Sequence, residues 1–207
     1  MNGLGGLTSG DVLLGDVRRA GWWLVERADD GLDRVVAGPF ADRTEAAWAA
    51  AVQDADGAVD AEYGVRAADG SLSRRPSPED RAWFELLEEQ LDRLPDGWDA
   101  ALPDDHPIAT LVVEMTAALT DAGLPLHDAR GAGPAGGVCL APEPVLGGVV
   151  VTWRQHDRMT VERASGNEAD TQVQQAMSRA VAEVLSLRSF AVEELTGSTG
   201  VVVRWGA

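Results

Sequence analysis

Lysine does not occur in this chain: all 17 basic side chains are arginine, set against 34 Asp and Glu, for a formal net charge of -17. A lysine ammonium is required by the P-loop, by Schiff-base chemistry, by the β3 position of protein kinases and by Ser-Lys dyads, so all four are excluded. Cysteine occurs once, at Cys139, which rules out an intrachain disulfide and a thiolate-dominated zinc site. No run of about 18 apolar residues is present, so no membrane-spanning helix is expected. The first 21 residues, MNGLGGLTSGDVLLGDVRRAG, lack a basic n-region and an apolar core of signal-peptide length. These absences lead to the expectation of a soluble cytoplasmic protein. Isoleucine occurs once and asparagine twice against 32 alanines, the bias of a GC-rich coding sequence, which accounts for part of the arginine preference.

The acidic side chains are unevenly spread. Through Asp105 there are 23 acids and 10 arginines, and beyond it 11 acids and 7 arginines, so the two parts carry -13 and -4. Such a field repels phosphate backbones, and direct nucleic-acid binding is not expected.

Along the chain, residues 1–20 are glycine-rich and read as a flexible N-terminus. Trp22 to Arg27 and Arg34 to Phe40 read as a β-hairpin turning at Asp29-Asp30-Gly31. Asp42 and Glu45 have capping-box spacing and open an alanine-rich helix to about Ala55. Its Trp48 and Val52, four apart, are expected to pack on the hairpin. A third strand, Ala61 to Ala67, completes a small ββαβ domain over residues 21–75.

Residues 76–104 are expected to form a helix and linkers. Ser77, Pro78 and Asp80 cap a helix to Leu94 with Trp83, Leu87, Leu91 and Leu94 on its apolar stripe. Asp105 is then read as the cap of a helix to Ala122, ended by Gly123. Strands follow at Gly137 to Ala141, Gly148 to Arg154 and Met159 to Ala164, then a helix from Glu168 to Leu187 with Val173, Met177, Val181 and Val184 in line. Phe190 to Leu195 and Gly200 to Trp205 close the chain as a hairpin. The fold class is thus α+β, with an αβββαββ domain over residues 105–207 whose antiparallel sheet is covered by helices on one face.

Chemistry-bearing motifs are few. Gly131-Ala132-Gly133-Pro134-Ala135-Gly136 spells GxGxxG, but a strand follows it where a dinucleotide site needs a helix. The histidines, His106, His127 and His156, show no HExxH or HxH spacing, and Cys139 sits in a strand-like Val138-Cys139-Leu140. Ser198 lies in a turn and lacks the first glycine of GxSxG. The adjacent acids Glu88-Glu89, Asp104-Asp105 and Glu193-Glu194 do not face one another across a cleft, as acid and base catalysis needs. No catalytic residue, cofactor or metal is therefore expected. Seven of the eleven aromatics are tryptophan. Trp22 and Trp23 are consecutive on a strand and must point to opposite faces, so they join Trp98, Arg154 and Arg204 as interaction candidates.

The stretch Val36-Ala37-Gly38-Pro39-Phe40-Ala41-Asp42-Arg43-Thr44-Glu45-Ala46 resembles the strand-to-helix segment of SPOR peptidoglycan-binding domains. That family works outside the membrane with a duplicated βαβ pattern, where this chain reads as ββαβ, and the function is not carried over. As a whole the chain resembles uncharacterised proteins of GC-rich actinobacteria, which implies no activity. The αβββαββ order is similar to secretion-chaperone folds, which implies dimerisation and an extended client.

The expectation is a non-enzymatic protein-interaction module (a chaperone, adaptor or immunity-type inhibitor) with an acidic surface, taking a basic protein partner or a second copy of itself. The alternative is a small enzyme or anionic-ligand-binding protein using residues 124–137, with His127, Asp128 and His156 beside Arg154 and Arg204. A nucleic-acid mimic is a further alternative.

Overall fold

The computed structural model describes residues 20–27, 33–53, 58–103, 105–131, 136–156 and 167–206, with backbone alone over 167–170. The expected flexible N-terminus up to residue 19, the strand at 159–164, the Asp-Asp-Gly turn and the centre of the GxGxxG stretch lie outside the described residues. The chain is α+β and divides into two compact units, residues 1–82 and 83–207, each with one four-stranded antiparallel sheet. Among the described residues no helix is long and apolar enough to cross a membrane.

In the first unit, β1 (Ala20–Arg27) and β2 (Asp33–Phe40) pair antiparallel, α1 (Arg43–Gln53) follows, and β3 (Val59–Arg66) pairs with the other edge of β1. A short β4 (Leu72–Arg74), beyond the three strands of the expected ββαβ unit, pairs with β3 and gives the order β2-β1-β3-β4. The capping box of α1 forms as its spacing predicts. The Glu45 backbone N–H donates to Asp42 Oδ1 at 2.8 Å, and Glu45 Oε2 accepts from the Ala41 N–H at 3.1 Å.

The face that α1 buries is not the one its large residues mark. Ala46 is fully buried, and Ala49 and Ala50 pack with it against Trp22, Leu24, Ala37, Ala61 and Tyr63. Alanine lets the helix backbone approach the sheet, and Trp22 of β1 with Tyr63 of β3 supply the volume. Trp48 and Val52, expected to pack on the hairpin, instead stand 76% and 85% exposed.

Helix α2 (Pro78–Leu91) opens with a reciprocal cap: the Asp80 N–H donates to Ser77 Oγ at 3.0 Å and the Ser77 N–H to Asp80 Oδ2 at 2.9 Å. The division between units falls within it, after Ala82. The second unit continues with α3 (Pro107–Asp121), β5 (Gly137–Glu143), a 3-10 turn at Pro144–Leu146, β6 (Gly148–Arg154), α4 (Asn167–Leu187), β7 (Phe190–Glu194) and β8 (Val201–Trp205). The strand order β5-β6-β8-β7 means that the connection through α4 leads from β6 to the edge strand β7, and β8 then returns to pair between them.

One face of this sheet carries the core: Val138, Leu140, Val149, Val151, Val201 and Val203 meet Leu111, Val112, Met115 and Leu119 of α3 and Val181 and Leu185 of α4. On α3 the buried stripe is Leu111, Met115, Ala118 and Leu119, whereas on α4 the predicted stripe is displaced, with Leu185 fully buried and Val173 more than a third exposed. The cap of α3 is His106, not Asp105: its Nδ1 accepts the Ile108 N–H at 3.2 Å, one residue later than expected, because Pro107 holds the first helical position. At the other end Gly123, at φ 72, lets the Leu124 N–H reach back to the Leu119 carbonyl at 2.9 Å.

Candidate functional site

Both consecutive tryptophans are covered. Trp22, 6% exposed, joins the α1-facing core with the Tyr63 ring 5.5 Å away edge-on. Trp23, 4% exposed on the opposite face, donates its indole N–H to the Gly64 carbonyl at 3.1 Å. The Arg66 guanidinium lies 5.8 Å from its ring centre, and a Cβ on Gly38 would meet the ring at 2.8 Å. Trp98 is half-buried against the core of the second unit. Their enrichment on the strand and linker is therefore answered by packing within the chain, and neither Trp22 nor Trp23 offers a partner its ring.

The proposed ligand loop is tied to the sheet. Leu126 forms a parallel bridge with Val138, while the His127 N–H donates to the Val138 carbonyl at 2.9 Å and the Val138 N–H to the Pro125 carbonyl at 3.0 Å. Gln90 reaches in from α2, its Oε1 accepting the Leu126 N–H at 2.9 Å, and the Arg93 guanidinium donates to the Leu126 carbonyl at 3.2 Å. Asp128 Oδ1 accepts from the N–H groups of Arg130 and Gly131, so its carboxylate organises the turn. His127 Nε2 lies 3.2 Å from a guanidinium nitrogen of Arg154, and a Cβ on Gly136 would strike the backbone at Arg154 to His156. The structure thus gathers His127, Arg154 and His156 at one end of β6.

Arg204 is not in that group. It flanks Gly148 at the opposite end of β6, six residues and ~20 Å from Arg154 at about 3.3 Å per residue. There it donates to Glu193 at 2.6 Å and to the Leu146 carbonyl at 3.0 Å. Cys139 is half-buried on β5, and that burial raises its thiol pKa, against weaker lowering by Thr152 and Arg154, which disfavours the nucleophilic thiolate. Among the described residues no three His, Cys, Asp or Glu side chains stand together as a metal set.

A surface that the sequence reading did not single out lies on α2. Its inward stripe is Leu87, Gln90 and the half-buried Trp83 and Leu91, and Trp83 anchors to Asp121 through a 2.9 Å indole hydrogen bond. Outward it exposes Phe84, at 54%, and Leu86 among Glu85, Glu88, Glu89 and, just past its end, Asp92. Residues 83–105 hold eight acids and one arginine, so the acidity of the N-terminal part is concentrated in this helix and its exit. The signal was present in the spacing: Glu85, Glu88, Glu89 and Asp92 recur at helical intervals away from the apolar stripe, with Phe84 on its flank beside Trp83.

Comparison with protein-family models, with curated proteins and with solved structures finds no match for this chain, so its site is read from its own geometry alone.

Proposed function

We propose that this protein is a non-enzymatic interaction module that binds a basic protein partner on the outer face of α2. The observation that supports this reading is an exposed phenylalanine and an exposed leucine flanking a dense run of carboxylates in which acids far outnumber arginines. An aromatic anchor supplies the contact area, and surrounding charge steers and selects a cationic partner. The roles of chaperone, adaptor and inhibitor share this requirement. Its test is affinity capture from the native cytoplasm at low and high salt, with the intact chain and with a variant carrying Phe84→Ala, Glu85→Gln, Glu88→Gln and Glu89→Gln. A stoichiometric partner, weakened by salt and lost with the variant, is expected. Recovery of no protein partner, with a monomeric sedimentation profile, would overturn it.

A second reading, an anionic ligand held at the end of β6, draws support from the Arg154 and His127 contact. It predicts that Arg154→Gln abolishes a thermal shift induced by inorganic phosphate; no shift with the intact chain removes it.

A further inference from the structure

We propose that the cavity between α4 and the β7-β8 turn binds a free α-amino acid as its zwitterion. The cavity measures about 320 Å³, near the lower end of the roughly 300–1,000 Å³ typical of small-molecule sites. Gln175, Ser178 and Arg179 line it from α4, and Glu194, Ser198 and Thr199 from the turn, over a floor of Gly200 and Val201. The spacing i, i+3, i+4 puts the three helix residues on one face. The turn is held by the Gly200 N–H donating to Ser198 Oγ at 3.0 Å and the Ser198 N–H to the Leu195 carbonyl at 3.1 Å.

Two features point to the ligand. The first is a pair of opposite charges on one small cavity that do not neutralise each other. Among the described residues Arg179 engages only the Gln175 carbonyl of its own helix, at a long 3.4 Å, and neither Arg179 nor Glu194 forms an ion pair. The neighbouring Glu193, which pairs with Val202 on the other sheet face, is by contrast held by Arg204. Alternation along β7 therefore commits one carboxylate to the fold and turns the next toward the cavity. The second feature is Ser178 Oγ, the buried side-chain oxygen that, among the described residues, lacks a hydrogen-bond partner. Buried hydroxyls are almost always satisfied, and an exception calls for a missing partner.

A zwitterion answers both. Its carboxylate meets the planar fork of Arg179, whose geometry suits two parallel hydrogen bonds, with Ser178 turning its hydroxyl toward a carboxylate oxygen. Its ammonium meets Glu194 and the hydroxyl oxygens of Ser198 and Thr199. A ligand with one charge leaves the other rim uncompensated.

The experiment is NMR titration of the full chain with glycine, L-serine and L-glutamine, alongside N-acetyl-L-serine and L-serinamide. Saturable shifts confined to residues 175–182 and 194–201 are expected for at least one free amino acid. Removing either ligand charge, or introducing Arg179→Gln or Glu194→Gln, is expected to weaken binding about tenfold or more, as loss of a charge-assisted contact implies. Ser178→Ala should weaken binding while leaving the ligand-free protein at least as stable, the reverse of what a structural hydroxyl gives. No localised shift by about 10 mM of any free amino acid, a level that excludes all but very weak binding, would overturn the proposal. Equal affinity for the capped compounds, or unchanged affinity in Arg179→Gln, would do the same.

Discussion

The two units reach a folded state by different routes. In the second, fifteen buried side chains, all aliphatic or methionine, form one cluster between two helices and one sheet face. In the first, the corresponding cluster has only three fully buried members, Trp22, Leu24 and Ala46, finished by partly buried residues including Phe40 and Tyr63. Few residues are available to a unit this small, so each must bury more area, and an aromatic ring does that. The first unit is accordingly the more sensitive to loss of any one side chain.

That contrast can be broken by truncation. Trp22→Ala should cost about 3–5 kcal/mol, comparable with the whole stability of a small unit. Hydrogen exchange is expected to show lost protection over residues 20–74 and retained protection over 107–121 and 181–203. Uniform loss across both regions would mean that the two units do not fold separately. A smaller effect is expected from Gln90→Ala, which leaves the buried Leu126 N–H without an acceptor. Roughly 1–3 kcal/mol should be lost from the second unit alone, measured by denaturant titration and localised by exchange at Leu126 and His127.

The smallest effect concerns the helix that runs through the division. Ser77→Ala removes a buried cap, at about 1 kcal/mol, and the same cap has a pH signature. Hydrogen bonds from Ser77, its backbone N–H foremost, hold the Asp80 carboxyl below its usual value. A folded-state pKa lowered in this way contributes stability that is present above the unfolded-state pKa of about 3.9 and lost as pH falls through the folded value. Exchange of the first-turn amides of α2 should accelerate in acid for the intact chain, and Asp80→Asn should flatten that dependence.

Much of this architecture was legible in the sequence because local rules and burial agree. The capping pairs at Asp42 and Ser77, the glycine at 123 and the alternation of Val149, Val151, Val201 and Val203 each specify backbone and face together. Where they failed, a tertiary fact was decisive. On α1 the apolar pair Trp48 and Val52 advertises a buried face, yet close approach to the sheet requires the alanines. β4 has three residues, Leu72 to Arg74, too few to show a period. The meeting of His127 with Arg154 depends on a bridge between Leu126 and Val138, which no local pattern encodes. The acidic face of α2 was in plain view as a charge run, and lacked only the exposure of Phe84 to set it apart from an ordinary solvated helix.

The bridge at Leu126 has one more consequence. A sheet ordered β5-β6-β8-β7 has two rims, and each presents backbone groups able to recruit a foreign strand. On the β5 rim, the segment from Pro125 to His127 already occupies the Val138 amide and carbonyl. The β7 rim is only five residues long and ends in Glu193 and Glu194, so a strand approaching it meets a short template and like charge. Its own chain therefore blocks the sheet at Val138 on one rim, and a short strand ending in carboxylates offers little template on the other. The carboxylates of β7 thereby guard against aggregation as well as carrying charge.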